Sequence, residues 1–123
     1  MAKIKPKRFY IHDDIYHISW RVLTGTKEQE AVNYISKLAS IEPVQLEHKL
    51  GKQACFYSHT SLKGGAIWFK DARPGGALVA HECLHAVHFL MTHGLDSRLT
   101  DDTEEFFAYY LQYLVSQIGR RVW

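Results

Sequence analysis

The stretch Val79-Ala80-His81-Glu82-Cys83-Leu84-His85-Ala86-Val87 decides how this chain is read. Around it, apolar residues from Leu78 to Met91 fall on nearly every side, so the pattern predicts a central, buried helix over Ala77–His93. Gly94 ends that helix as a C-terminal cap. His81 and His85 are four residues apart and share one helix face, separated by about 6 Å of rise. Two imidazoles leaning toward each other across one turn can meet at a single metal ion. Glu82 projects to the side of the pair, within reach of a water on that metal but poorly aimed to ligate it. Two ligands and a general base on one rigid element is the chemistry of the His-Glu-x-x-His pattern. Polar groups inside an apolar helix need compensation, and a metal ion supplies it.

Working outward, Gln53–His59 and Ala66–Phe69 are rich in aromatic and β-branched residues, with Ser61–Gly65 between them, and predict a β-hairpin. Pro74-Gly75-Gly76 breaks the chain ahead of the histidine helix. Upstream, Thr26 and Gln29 form a capping-box pattern, and Ala31, Val32, Ile35, Leu38 and Ala39 recur at helical spacing, which predicts an amphipathic helix over Lys27–Ser40. Phe9–Leu23 mixes aromatic, β-branched and acidic residues and fits either a strand or a short helix. After a loop over Leu95–Asp102, a last helix is expected over Thr103–Ile118, closed by Gly119.

The chain has 123 residues, enough for one domain over 1–123 with its core at about 53–118. A net charge of +2 gives no argument for nucleic acid, and Lys3, Lys5, Lys7 and Arg8 read as a solvated arm. There is no apolar run of membrane-spanning length and no secretory signal pattern. Cys55 and Cys83 read as reduced, buried thiols, and the expected location is cytoplasmic.

A catalytic tetrahedral site needs a third protein ligand. His88 shares the helix face, but ligands at i, i+4 and i+7 would span about 10.5 Å of helix, too far for one ion. His93 falls at the helix end. Glu104 and Glu105 open the last helix, where acidic residues also favour the helix dipole, and Asp101/Glu104 and Asp102/Glu105 both fit loose capping boxes. Helical phase does not choose between the two glutamates.

The segment from Val79 to Val87 resembles the zinc helix of gluzincin metallopeptidases, the thermolysin group, and Glu105-Phe106-Phe107-Ala108 resembles the Glu-x-x-Ala pattern of small zincin-like proteins encoded by phages and prophages. The resemblance covers roughly Gln53–Ile118. It implies that Glu105, twenty residues after His85, is the third ligand of a Zn²⁺ held by His81 and His85. It also implies Glu82 as general base and a peptide or protein substrate laid against the hairpin edge. Tyr57, His59, Tyr109 and Arg98 are candidates by type for stabilising an oxyanion. The family favours a large apolar residue where this chain has Cys83, and an acidic residue where it has Tyr109. The C-terminal subdomain that walls the family's cleft has no counterpart here.

The expected fold is α+β and zincin-like: a small antiparallel sheet on the hairpin, packed on the buried zinc helix and a following glutamate helix, with the amphipathic helix on the other side. The expected function is that of a zinc-dependent metallopeptidase or amide hydrolase. The alternative is a zinc-stabilised, phage-type binding or inhibitor protein with little turnover.

Overall fold

A computed structural model describes residues 5–40, 53–58, 64–97 and 99–123. Among these residues, four strands form a sheet: β1 (Lys7–Asp13), β2 (Ile18–Thr24), β3 (Ala54–Ser58) and β4 (Gly64–Phe69). Three helices among them flank it: α1 (Glu28–Ala39), α2 (Gly76–Phe89) and α3 (Glu104–Val122). The fold is α+β, but the sheet is mixed rather than antiparallel. Its order is β1-β2-β4-β3, with β1/β2 and β3/β4 antiparallel and β2/β4 parallel.

Phe9–Leu23, which fitted strand or helix equally in sequence, is therefore the outer hairpin of the sheet. Its second strand alternates over Ile18–Val22, with Ile18, Trp20 and Val22 buried and Ser19 and Arg21 partly exposed, and is buried on both faces only toward its end, at Leu23 and Thr24. Trp20 and Val22 pack with Ile11, Phe56, Ile67 and Phe69 beneath α2 and α3, while Leu23 packs with Cys55, Tyr57 and Trp68 beneath α1. The core thus reaches beyond residues 53–118, taking in β1, β2 and Val122.

Gly64 and Gly65, expected in a turn, begin β4. The rest of that expected turn, residues 61–63, lies outside the described residues, as does His59. Neighbouring groups explain why glycine is needed at both positions. Gly64 has φ +129°, and a Cβ there would stand 2.2 Å from the Ser19 carbonyl oxygen; at Gly65 it would meet the Phe56 ring at 2.3 Å.

α1 matches its expected span within a residue at each end, although the capping box does not form. Lys27 is the N-cap, without a side-chain hydrogen bond, and Gln29 turns to Asn33 instead. α3 runs four residues past Ile118. Gly119 does not stop it, because Trp123 folds back over the glycine, where a Cβ would meet the indole at 2.6 Å. Thr103 takes the N-cap position without a side-chain cap, so neither capping box suggested at Asp101 and Asp102 forms. No helix among the described residues is long and apolar enough to cross a membrane.

α2 packs under β3 and β4, whereas α3 reaches β1 and β2. α2 is not the fully buried helix that its composition suggested. Val79, Cys83, Ala86 and Val87 face the core, while His81, Leu84, His85 and His88 form an exposed stripe. It then widens into a π-helical turn over Leu90–Gly94, in which Leu95 N–H reaches the Leu90 carbonyl at 2.9 Å.

Candidate metal centre

The exposed stripe of α2 looks into a cleft of about 300 Å³ beside the edge strand β3. Cys55, Phe56 and Ser58 line it from the strand, and His81, Glu82, His85, His88, Phe89 and His93 line it from the helix. Phe89 anchors this edge, its ring 5.8 Å from that of Phe56.

Within the cleft, the Nε2 atoms of His81 and His85 converge to 3.3 Å, with the rings at 78° to one another. Zinc–nitrogen bonds of 2.0–2.1 Å at a tetrahedral angle set the two nitrogens about 3.3–3.4 Å apart. The pair is thus spaced for one ion without rearrangement. The histidines themselves are exposed, with 63% of the His81 side chain accessible. The buried polar member is Glu82, only 5% accessible. Its Oε1 stands 4.0 Å from His81 Nε2, and its Oε2 has no hydrogen-bond partner among the described residues. Oε1 is thus about 0.6 Å more distant than a co-ligand of the same ion would be, but well positioned for a proton transfer through an intervening water. Of the three polar groups expected to be buried, only the glutamate is, and the compensation argument applies to it alone, as a buried carboxylate with an oxygen that has no partner among the described residues.

Among the described residues, His81, Glu82 and His85 form the one group of three or more metal-capable side chains, their ligand atoms within 4.8 Å of one another. Glu105 does not join it. The packed face of α3 runs through Phe107, Tyr110, Leu114 and Ile118, and Glu105 lies on the outward stripe with Ala108, Tyr109 and Gln112. Glu104 is closer in phase to the packed face but also exposed. The histidines meanwhile face the β3 edge, and α3 lies under the other half of the sheet.

No protein-family model, no curated protein and no solved structure matches this chain significantly.

Two histidines set aside in sequence line the cleft. His93 stacks on Phe89 at 4.7 Å and 20°, with its Nδ1 2.9 Å from Thr92 Oγ1. The π-helical turn, which shifts the helix register just past His88, was not visible in the residue pattern. Of the oxyanion candidates, Tyr57 is buried on the α1 face of the sheet. Burial first, then Cys55, then the charges of Glu28 and Glu82 hold its phenol well above the ordinary range. Tyr109 lines a different groove, near the β1–β2 turn. His59 and Arg98 lie outside the described residues. Cys55 and Cys83 are both buried, in the clusters on opposite faces of the sheet, and are not joined. Burial, reinforced by the neighbouring Glu82 charge, pushes the Cys83 thiol up to about 12.

Proposed function

We propose that the cleft beside β3 holds a zinc ion on His81 Nε2 and His85 Nε2, and that the protein hydrolyses a peptide or amide bond there. The observation that carries this reading is the 3.3 Å convergence of the two ring nitrogens beside a buried carboxylate, one of whose oxygens has no partner among the described residues. When bound, zinc supplies a Lewis acid and brings the pKa of water to about 7. Glu82 accepts the proton of the attacking water and returns it to the leaving amine. Glu82 is buried beneath the exposed imidazoles and lines the same cleft, so it reaches the water from the inner wall of the site. The strand β3 runs along the same cleft, where an extended peptide can lie beside it.

The third protein ligand implied by the resemblance is Glu105. The geometry supports the two imidazoles alone, which leaves more of the ion's coordination to water or substrate than a gluzincin does. That observation favours the second reading, a zinc-stabilised zincin-like binding protein, possessing the site but not the turnover.

The test is metal analysis and peptide cleavage on wild type, His81→Ala, Glu105→Ala and Glu82→Gln proteins. The hydrolase reading expects one zinc in wild type and in Glu82→Gln, loss of zinc in His81→Ala, and cleavage of quenched-fluorescent peptides by wild type but by neither of these two variants. Glu105→Ala reports on the third ligand alone: unchanged zinc affinity removes it from the set. Zinc retained by Glu82→Gln with no cleavage by wild type supports the binding protein. Absence of zinc from wild type overturns both.

A further inference from the structure

A second groove, of about 430 Å³, lies between the β1–β2 turn and the first turns of α3, and the proposed metal chemistry leaves it unused. Its wall is a run of aromatic rings. Tyr16 meets Phe106 edge-on at 5.8 Å, Phe106 meets Tyr110 at 5.7 Å, and Tyr110 meets Tyr113 at 5.6 Å. Tyr109 stands on the rim, 67% exposed.

At the floor is Asp13, 8% exposed. Its Oδ1 accepts the Ile15 and Tyr16 backbone N–H groups at 2.8 and 3.1 Å, and its Oδ2 accepts the Tyr110 hydroxyl at 2.7 Å. These donors are all neutral. They satisfy the oxygens without cancelling the charge, and Asp13 has no ion pair among the described residues. The charges of Asp13 and Asp14 also help to hold the Tyr113 phenol above its ordinary range, after burial. Asp14 sits at the rim, 93% exposed, with one oxygen 3.0 Å from His12 Nε2. No lysine or arginine among the described residues lines the groove.

The geometry points to this groove as a binding site for an arginine side chain of a peptide or protein partner. A buried negative charge behind aromatic faces attracts a cation, and a weakly hydrated, planar guanidinium gives up least on leaving water. The groove is open on one side. A quaternary ammonium needs rings around it, whereas a guanidinium can stack on one ring face and keep its edge N–H groups for a rim carboxylate such as Asp14. The site is independent of the metal cleft and needs no zinc.

The test is titration of the ¹⁵N-labelled full chain, metal-free, with acetyl-Gly-Arg-Gly-amide and with its citrulline counterpart, which is isosteric but neutral. Saturable shifts confined to residues 13–16 and 106–113, with citrulline at least about fivefold weaker, are expected. Tyr109→Ala and Asp14→Asn, both at exposed positions where folding is not at stake, should each weaken arginine binding by about two- to fivefold. Equal binding of citrulline, shifts centred on His81 and His85, or indifference to both substitutions would overturn the assignment.

Discussion

The hydroxyl of Tyr110 on α3 donates to Asp13 Oδ2 at 2.7 Å and accepts from Trp20 Nε1 at 3.0 Å, tying the last helix to both strands of the first hairpin. All three side chains are buried. Tyr110→Phe keeps the ring packing but strands an indole N–H and a carboxylate oxygen away from water. Urea unfolding should show a loss of about 1–3 kcal/mol with an unchanged denaturant slope. A loss below about 0.5 kcal/mol would mean that water replaces the tyrosine hydroxyl at no cost.

Because the His81 and His85 nitrogens are already at ligand spacing, zinc should bind the folded chain without a large rearrangement. At a free zinc concentration near 100 times the dissociation constant, linkage adds about 2.7 kcal/mol, a rise in melting temperature on the order of 10 °C. His85→Ala should abolish that rise while leaving the metal-free melting temperature nearly unchanged, since His85 is exposed. Calorimetry with and without zinc measures both. A rise of the same size in His85→Ala would place the metal elsewhere.

The cysteines give a pH signature. With the Cys83 thiol pushed up to about 12 from a reference of 9.0, the folded chain holds a proton that the unfolded chain releases first. Stability from this group is complete below about pH 9 and is lost as pH rises toward 12. Tyr57 and Tyr110, also raised, steepen the loss. Cys83→Ala should flatten the alkaline limb of the stability curve, and a thiol reagent at pH 8 should label Cys83 at the unfolding rate. Rapid labelling in native buffer would contradict the burial.

How much of this could be read from the residues depends on whether a segment keeps one polar side. α1 does, and its helical spacing gave its limits within a residue at each end. The β3/β4 hairpin was legible from its aromatic and β-branched runs, although Gly64 and Gly65 looked like a turn. They are strand residues because the Ser19 carbonyl and the Phe56 ring approach too closely for a side chain. β2 alternates only over Ile18–Val22, too short a run to separate strand from helix, and its parallel pairing with β4 leaves no local mark. At the site, the spacing of His81, Glu82 and His85 foretold their convergence. All three were expected to be buried and only Glu82 is, because an apolar majority along α2 masked a single exposed stripe. The relation of Glu105 to the site depends on how α3 lies against the sheet, which no spacing encodes.

Glu82 is 5% accessible, and one of its oxygens has no partner among the described residues, so the metal-free protein is expected to be destabilised by it, at a position where an apolar or amide side chain would cost less. Glu82→Gln preserves the shape and removes the charge. The metal-free variant should be more stable than wild type by about 1 kcal/mol or more. A bound dication near the carboxylate would offset the charge in wild type but not in the variant, so saturating zinc should narrow or reverse the difference. The experiment is a two-by-two set of urea curves, wild type and Glu82→Gln, each with and without zinc. A variant less stable than wild type without metal would mean that the carboxylate is satisfied in solution. An identical difference in both conditions would mean that zinc, if it binds, sits beyond reach of Glu82, and the general-base role would fall with it.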